Sequence, residues 1–339
     1  MPATLPTPLA GLADRIRGLL RAHRAGLRTR VYETAALDAP VLPAEVVPVV
    51  TPDGARLRVH AYGPADADAV VLVHGWSCCI EYWNPQINAF AGDYRVIAYD
   101  QRGHGDSDPG GLPPNPDLLA DDLSAVLAAT LRPGQRAVLV GHSMGGMTIQ
   151  AWAGRHPGEA ARRAAAVVLT NTAAGNLIAE TTVVPLLNRG PLRLPYRIGR
   201  RALGSPLLIP PVWPVTWIFR RTVMSLAATG DIAAFGLNIV RSCPARVRGA
   251  FGILLAELAL GDAVTHLTAP TTVIAGSVDR MTPVRHAERL VEMLRGVGTP
   301  VRMSVLPTGH LGNVEAYQQF NAELDRVLAT AYPARVASA

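Results

Sequence analysis

Short, almost wholly apolar runs recur along most of the chain, and they alternate with segments whose apolar residues are three or four positions apart. Apolar runs of this length are typical of strands buried on both faces, whereas the wider spacing predicts helices. The predicted strands are AVVLVHG, YRVIAYD, RAVLVGH, AAVVLTN, TTVIAG and VRMSVLP. Their alternation with helices predicts an α/β fold, with a mostly parallel central sheet covered by helices on both faces.

Two regions depart from this alternation. The runs EVVPVV and RLRVHAY flank the turn residues Pro52, Asp53 and Gly54, which predicts an antiparallel hairpin at the start of the sheet. From about Gly175 to Asp262 the strand pattern gives way to prolines, arginines and large apolar residues, which predicts an inserted, mostly helical cap. The predicted divisions are an N-terminal extension (1–45), a core (46–174 and 263–339) and the cap or lid (175–262).

The N-terminal extension contains a predicted amphipathic helix over residues 9–28. Its leucines and isoleucine recur at helical spacing, and arginines fill much of the remainder. Two interpretations stay open, because the apolar stripe either packs on the body of the protein or lies on an anionic membrane surface. Proline, glycine and charged residues interrupt the region, so we do not expect a cleaved signal peptide. Prolines also interrupt the longest apolar stretch, so no transmembrane anchor is expected.

Composition adds little about partners but excludes some classes. Hydrophobic residues make up 49% of the 339 residues, enough for a sizeable core. The formal net charge is +6 and all 32 basic residues are arginine, yet no basic run interleaved with aromatic residues marks a nucleic-acid surface. Cys78 and Cys79 are neighbours and Cys243 is distant, which is no disulfide framework. A reducing, cytoplasmic location without nucleic-acid partners is therefore expected.

One serine stands out in the stretch VLVGHSMGGMTI. The apolar run ends at Val140 and a helical pattern begins at Met144, so Ser143 lies in a tight strand-to-helix turn between glycines. Ligands of parallel α/β sheets bind outside the carboxyl ends of the strands. Ser143 is therefore a candidate nucleophile, although a serine at this position could also simply cap the helix that follows.

The pentapeptide Gly141-His142-Ser143-Met144-Gly145 resembles G-x-S-x-G, the nucleophile elbow of the α/β-hydrolase superfamily. The resemblance extends over residues 46–174 and 268–328. It implies an α/β-hydrolase fold, Ser143 as the nucleophile, and a catalytic triad in the chain order serine, acid, histidine.

The resemblance also implies the other two members of the triad. His310, in LPTGHLGN, follows the last predicted strand, where the superfamily keeps its general base. Asp279, in GSVDRMTP, follows the preceding strand and resembles the loop of the orienting acid. Asp262 is the alternative acid, and taken singly His310 could be a surface or core residue and Asp279 a helix cap.

Backbone amides are expected to form the oxyanion hole. The residue after the nucleophile, Met144, offers one amide, and His74-Gly75-Trp76 resembles the superfamily's H-G-x motif, which implies the Trp76 amide as the second. The Trp76 side chain either packs in the core or shapes an acyl pocket. The stretch YDQRGHGDSD resembles a D-x-R-G-x-G-x-S loop of structural role, and its His104 and Asp106 are not expected to bind metal. No cofactor is expected.

A serine nucleophile favours acyl transfer to water, so carboxylic esters are the first substrate class. GHSMGG resembles monoacylglycerol lipases and carboxylesterases, and the cap stretch from Leu207 to Phe219 either lines an acyl tunnel for medium or long apolar chains or packs on the core. The alternatives are a thioesterase, a lactonase, an acyltransferase or cyclase of secondary metabolism, and a cofactor-free haloperoxidase or perhydrolase. A non-enzymatic ligand-binding protein on the same fold is the alternative of a different class. The oligomeric state stays open.

Overall fold

The computed structural model describes residues 7–182, 196–205 and 213–333, which form an eight-stranded sheet flanked by helices. The strands are β1 (Glu45–Val50), β2 (Arg56–Tyr62), β3 (Ala69–Val73), β4 (Arg95–Tyr99), β5 (Ala137–His142), β6 (Ala164–Thr170), β7 (Thr271–Gly276) and β8 (Val301–Leu306). The helices are α1 (Thr7–Leu27), α2 (Asn84–Phe90), α3 (Pro116–Thr130), α4 (Met144–Arg155), α5 (Pro157–Arg163), α6 (Leu177–Glu180), α7 (Tyr196–Leu203), α8 (Trp213–Val223), α9 (Gly230–Ser242), α10 (Ala245–Glu257), α11 (Arg285–Gly296), α12 (Gly312–Glu315) and α13 (Tyr317–Ala331). Short 3-10 turns lie at Ala35–Leu37, Ile80–Trp83 and Ala263–His266.

The sheet has the strand order β1-β2-β4-β3-β5-β6-β7-β8. The first two strands form the expected antiparallel hairpin, and β2 also pairs antiparallel with β4. Every pairing from β4 through β3 to β8 is parallel. The predicted α/β fold with a mostly parallel sheet is confirmed. The carboxyl ends of β3, β5, β6, β7 and β8 consequently lie along one edge of the sheet.

Successive residues of the central strands enter opposite cores, which explains why these strands are almost wholly apolar. In β3, Val70 and Leu72 belong to the core on one face, whereas Val71 and Val73 belong to the core on the other. Trp83 and Phe320 fill the first core and Trp152 the second. Both faces are therefore buried, as helices on both sides of a parallel sheet require.

The segment between β6 and β7 leaves and rejoins the sheet at one narrow neck. Gly175 forms an isolated antiparallel bridge with Ala259, and the Leu260 N–H donates to the Ala174 carbonyl at 2.9 Å. The described residues between these points form helices α6 to α10. The bridge brings the two ends of the segment together, and the cap over residues 175–262 stays a prediction.

Part of the apolar stretch that was expected to line an acyl tunnel or pack on the core can be located. Leu207, Leu208, Ile209 and Val212 lie outside the described residues. Phe219 packs against the main core, whereas Trp217 and Ile218 are 47% and 52% exposed. In the described end of this stretch, one residue therefore packs on the core and two are exposed to solvent.

The N-terminal extension is attached to the body through the C-terminal half of α1. Leu27 is buried, and the His23 side chain donates from Nε2 to the Asn238 carbonyl at 2.8 Å. Arg28 pairs with Glu81 at 2.8 Å and also with Asp106. Beyond the helix, Tyr32 and Leu37 belong to the main hydrophobic core. Of the two interpretations left open by the sequence, packing on the body of the protein therefore applies to the C-terminal half of α1.

Residues 14–19 of α1 are exposed. Ile16 is 36% exposed and Leu19 is 72% exposed, and the arginines around them also face solvent. Within the part of the chain that the structure describes, no helix combines the length and apolar character needed to cross a bilayer. Cys78, Cys79 and Cys243 are all buried free thiols.

A buried ion pair links the loop after β4 to helix α3 and to the first hairpin. Arg102 binds Asp122 through two hydrogen bonds of 2.7 and 2.6 Å, and both side chains are 1% exposed. The same guanidinium reaches Asp53 in the hairpin turn at 3.0 and 3.1 Å. Three separate segments of chain therefore share one buried charge cluster.

Replacing Arg102 with methionine should destabilise the protein by about 3–5 kcal/mol, because a buried carboxylate would lose its partner. Arg155→Met is the matched control, since Arg155 pairs with Asp121 at the surface, and this change should cost no more than about 1 kcal/mol. Urea unfolding measures both free energies. If both variants lost the same small amount of unfolding free energy, the structural role assigned to Arg102 would be wrong.

Candidate active site

Ser143 lies directly after β5, at the sharp turn into α4. Its backbone has φ 52° and ψ −118°, a conformation that non-glycine residues rarely adopt. Two hydrogen bonds hold it there: the Ser143 N–H donates to the Thr170 carbonyl at 3.0 Å, and the Thr172 hydroxyl donates to the Ser143 carbonyl at 2.7 Å. The strained turn is therefore fixed from both sides by the end of the neighbouring strand β6.

The glycines around Ser143 are needed for close approach. A Cβ on Gly145 would lie 2.0 Å from the Val73 carbonyl oxygen, and one on Gly141 would lie 2.7 Å from the Gly145 carbonyl. The sequence analysis places Ser143 in a tight turn between glycines. In the structure the positive φ belongs to Ser143 itself, and the glycines allow the helix to pack tightly against β3 and β5.

The three predicted triad residues come together at the carboxyl edge of the sheet. His310 Nε2 is 2.9 Å from Ser143 Oγ, and His310 Nδ1 is 2.8 Å from Asp279 Oδ2. All three are buried, with exposures of 8% for Ser143, 4% for His310 and 5% for Asp279. The alternative acid, Asp262, is exposed next to the 3-10 turn that precedes β7 and is not part of this chain of hydrogen bonds.

The Asp279 carboxylate is surrounded by donors. Oδ1 accepts the Met281 and Thr282 N–H groups at 2.8 and 3.0 Å, and Oδ2 accepts the Thr282 hydroxyl at 2.7 Å and the Asn171 amide at 2.9 Å. Burial opposes ionisation, yet His310 and these hydrogen bonds hold the pKa of Asp279 below its usual range. The carboxylate is therefore anionic at neutral pH and oriented towards the imidazole.

Sequence reasoning missed Asn171 and Thr282. Asn171 has φ 48°, and its side-chain amide donates both to Asp279 and to the Gly309 carbonyl, the latter at 3.1 Å. It directly follows β6, so its place at the carboxyl edge was a usable signal. Thr282 gave a weaker signal, because its role depends on how the loop after Asp279 folds back.

The His142 side chain supports the loop that carries His310. Its Nε2–H donates to the His310 carbonyl at 2.8 Å, and its ring lies 5.0 Å from the His310 ring. Burial lowers the pKa of His142 to about 3, with the nearby His310 acting in the same direction. The ring is therefore neutral, with its proton on the nitrogen that faces the His310 carbonyl.

The loop after β3 carries the predicted oxyanion residue Trp76. His74 at its start accepts the Gln101 N–H at 3.0 Å on Nε2, and the Gln101 side chain is bonded in turn by the Thr148 hydroxyl at 2.8 Å. The Trp76 indole donates to the Arg248 carbonyl of the cap at 3.0 Å. The other predicted donor, Met144, is the first residue of α4, where N–H groups have no acceptor within the helix.

The loop after β4 holds this region in place. Asp100 accepts the Ile80 N–H at 2.7 Å and the Asp106 N–H at 2.8 Å, so it joins the two loops. His104 is buried 4.7 Å from the Phe251 ring, and burial lowers its pKa to about 4. Among the residues that the structure describes, no group of three or more His, Cys, Asp or Glu is arranged to hold a metal ion.

With this geometry in view, comparison with known proteins defines the family. The family model of the alpha/beta hydrolase family matches residues 70–323, and the chain belongs to that family. A 3-oxoadipate enol-lactonase from Acinetobacter baylyi is 27% identical over 290 residues, which cover 82% of this chain and 95% of that protein.

A shorter sequence match and a shared fold add to this similarity. A non-heme chloroperoxidase from Streptomyces lividans is 38% identical over 116 residues, which span 34% of this chain and only 41% of that protein. A thermophilic esterase from Thermogutta terrifontis has a TM-score of 0.69 at 22% identity, covering 85% of this chain and 100% of that chain. The esterase therefore shares the fold.

Proposed function

We propose that this protein is a carboxylic ester hydrolase that forms an acyl-enzyme intermediate on Ser143. The observation that carries the proposal is the hydrogen-bonded chain from Ser143 through His310 to Asp279, with links of 2.9 and 2.8 Å. A serine hydroxyl is a weak nucleophile at neutral pH unless a positioned base accepts its proton. His310 is that base, and anionic Asp279 fixes its tautomer and stabilises the imidazolium that forms.

The reaction has two halves. In the first, Ser143 Oγ attacks the ester carbonyl carbon while His310 Nε2 takes the hydroxyl proton, and the tetrahedral intermediate collapses as His310 protonates the departing alcohol. In the second, His310 removes a proton from water, whose oxygen attacks the acyl carbon, and the tetrahedral intermediate collapses as His310 returns that proton to Ser143 Oγ and the carboxylic acid leaves. The Trp76 and Met144 amides stabilise the oxyanion in both halves, each contributing about 3–4 kcal/mol.

Replacing Ser143 with alanine should abolish ester hydrolysis and labelling by a fluorophosphonate probe. Asp279→Asn should lower kcat by about 10⁴-fold, because an amide favours the wrong tautomer of His310. Asp262→Asn is the matched control, since Asp262 is the exposed alternative acid and its replacement should leave the rate unchanged. A near-normal rate for Asp279→Asn, or labelling that survives in Ser143→Ala, would refute the assignment.

We also propose that the acyl group is apolar and of medium or long chain. Met144 and Met147, which follow the nucleophile in α4, pack with Phe251, Leu254 and Leu255 of the cap helix α10. Trp76 packs against the same cluster. A hydrocarbon cluster thus joins the helix that follows Ser143 to the cap, which favours an aliphatic chain over a charged one.

A p-nitrophenyl ester series from acetate to palmitate tests this preference. Each buried CH₂ contributes about 0.8 kcal/mol, so kcat/KM should rise severalfold with each addition until the pocket is filled. Thioesters and lactones assayed beside the esters separate the related activities, and added alcohol or amine reveals acyl transfer to an acceptor other than water. Activity confined to acetate would contradict the proposed chain preference.

A peripheral membrane contact through residues 9–28 is the second proposal, and the split character of α1 supports it. Leu27 anchors one end of the helix in the body, while Ile16 and Leu19 at the other end are exposed among Arg15, Arg17 and Arg21. Exposed apolar residues flanked by arginines suit an anionic lipid surface. Such a contact would bring the enzyme to the interface where long-chain esters accumulate.

Co-sedimentation with phosphatidylglycerol vesicles tests this contact in the full chain. Leu19→Glu should lower the partition coefficient at least about tenfold, because it removes apolar area and adds a like charge to the anionic surface. Val297→Glu is the control, since Val297 is 53% exposed after helix α11 of the core. Equal sedimentation of the wild type and Leu19→Glu would contradict the proposal.

A further inference from the structure

A second polar network at the edge of the active site centres on Glu315, which does not touch the Ser143 hydroxyl. The short helix α12 brings the Glu315 side chain back over the loop that carries His310. Its Oε2 accepts the Gly309 N–H at 3.1 Å, and its Oε1 accepts the Leu311 N–H at 3.1 Å. One carboxylate therefore holds the amides on either side of His310.

The same carboxylate binds the cap. Glu315 Oε2 accepts the Ser225 N–H at 2.7 Å, and two residues earlier the Val223 carbonyl accepts the His310 N–H at 2.7 Å. Between them Met224 is buried against Gly309, where an added Cβ would lie 2.6 Å from the Met224 Cα. The cap segment 223–225 and the His310 loop therefore form one hydrogen-bonded unit.

The core holds the opposite side of this loop. His142 donates to the His310 carbonyl at 2.8 Å, and Asn171 donates to the Gly309 carbonyl at 3.1 Å. The loop is thus fixed by the core through its carbonyls and by Glu315 and the cap through its N–H groups. Hydrogen bonds to a carboxylate are stronger than neutral ones, and a glutamine at 315 would offer only one carbonyl oxygen to three donors.

We infer that Glu315 is a positioning residue that keeps His310 Nε2 in reach of Ser143 and makes the seated cap segment 223–225 a part of the active site. This inference rests on the proposed function, because it assigns His310 the role of the base. Displacement of segment 223–225 would loosen His310, so an ester has to enter without unseating it.

The first test compares Glu315→Gln with Asp325→Asn, which removes the same charge from an exposed position on helix α13. Active sites are titrated with the fluorophosphonate probe, and kcat and KM are measured across pH with a p-nitrophenyl ester. Glu315→Gln should lower kcat at least about tenfold over the whole pH plateau and change KM by less than about threefold, because loss of positioning acts on the transition state. Asp325→Asn should match the wild type.

Two alternative outcomes overturn the inference. A purely electrostatic role would shift the acid limb of the pH profile and leave the plateau rate intact. A merely structural role would lower Tm while the rate per titrated site stayed at the wild-type value. A wild-type enzyme that neither hydrolyses esters nor reacts with the probe would instead refute the proposed function.

The second test removes only the hydrogen bond between Glu315 and the cap. Ser225→Pro deletes the N–H that donates to Glu315. Leu226→Pro is the control, because it adds a proline ring one residue later, within the turn that the hydrogen bond from the Ala228 N–H to the Ser225 carbonyl closes. Ser225→Pro should lower kcat, whereas Leu226→Pro should leave it unchanged. Because both changes remove the same contact, the double variant Glu315→Gln with Ser225→Pro should have a kcat less than about twofold below that of Glu315→Gln alone. Fully additive losses would overturn the coupling. If Glu315→Gln fails to fold, an unchanged kcat in Ser225→Pro alone overturns it.

Discussion

The hydrogen bond between the Ser143 hydroxyl and His310 Nε2 is the interaction on which the proposed chemistry depends. It joins side chains 167 positions apart in the chain at a separation of 2.9 Å. Proton transfer over such a bond tolerates little displacement, so the backbone on both sides has to be rigid. The parallel sheet supplies this rigidity, because β5 and β8 end at the same edge and are held apart by β6 and β7.

The strained turn at Ser143 is held by its surroundings. A non-glycine residue at positive φ costs about 1–3 kcal/mol, and the bonds to Thr170 and Thr172 keep the backbone from relaxing. The close approach of Gly145 to the Val73 carbonyl fixes the start of α4 against β3. The Ser143 hydroxyl is thereby held 2.9 Å from His310 Nε2.

The cap and the N-terminal extension share structure with the core. The extension reaches the loop after β4 through Arg28 and Asp106, and that loop in turn supports the loop of Trp76 through Asp100 and Ile80. The cap contributes a carbonyl to His310 itself. Both segments therefore influence the geometry of the predicted active site, although neither carries a residue of the predicted triad.

The sequence by itself determined the α/β architecture and a candidate nucleophile. Apolar runs indicate strands buried on both faces. The glycine-flanked turn around Ser143 can be recognised from local sequence alone, because its steric requirement does not depend on the rest of the fold. The resemblance to the α/β hydrolases, together with positions after strands, also implied Asp279 and His310. The sequence could not single out His142 or Glu315, because these side chains bind backbone groups. It could not single out Thr282 either, because the contact of its hydroxyl with Asp279 depends on how the loop after Asp279 folds back.

Only the tertiary structure decided those contacts. A histidine or a glutamate that binds carbonyl and N–H groups bonds to groups that recur along almost the whole backbone, so no residue type in the sequence identifies the partner. The difference between the docked C-terminal end of helix α1 and its exposed residues 14–19 has the same origin, because the apolar stripe is continuous in sequence and only the shape of the body determines where the contact ends.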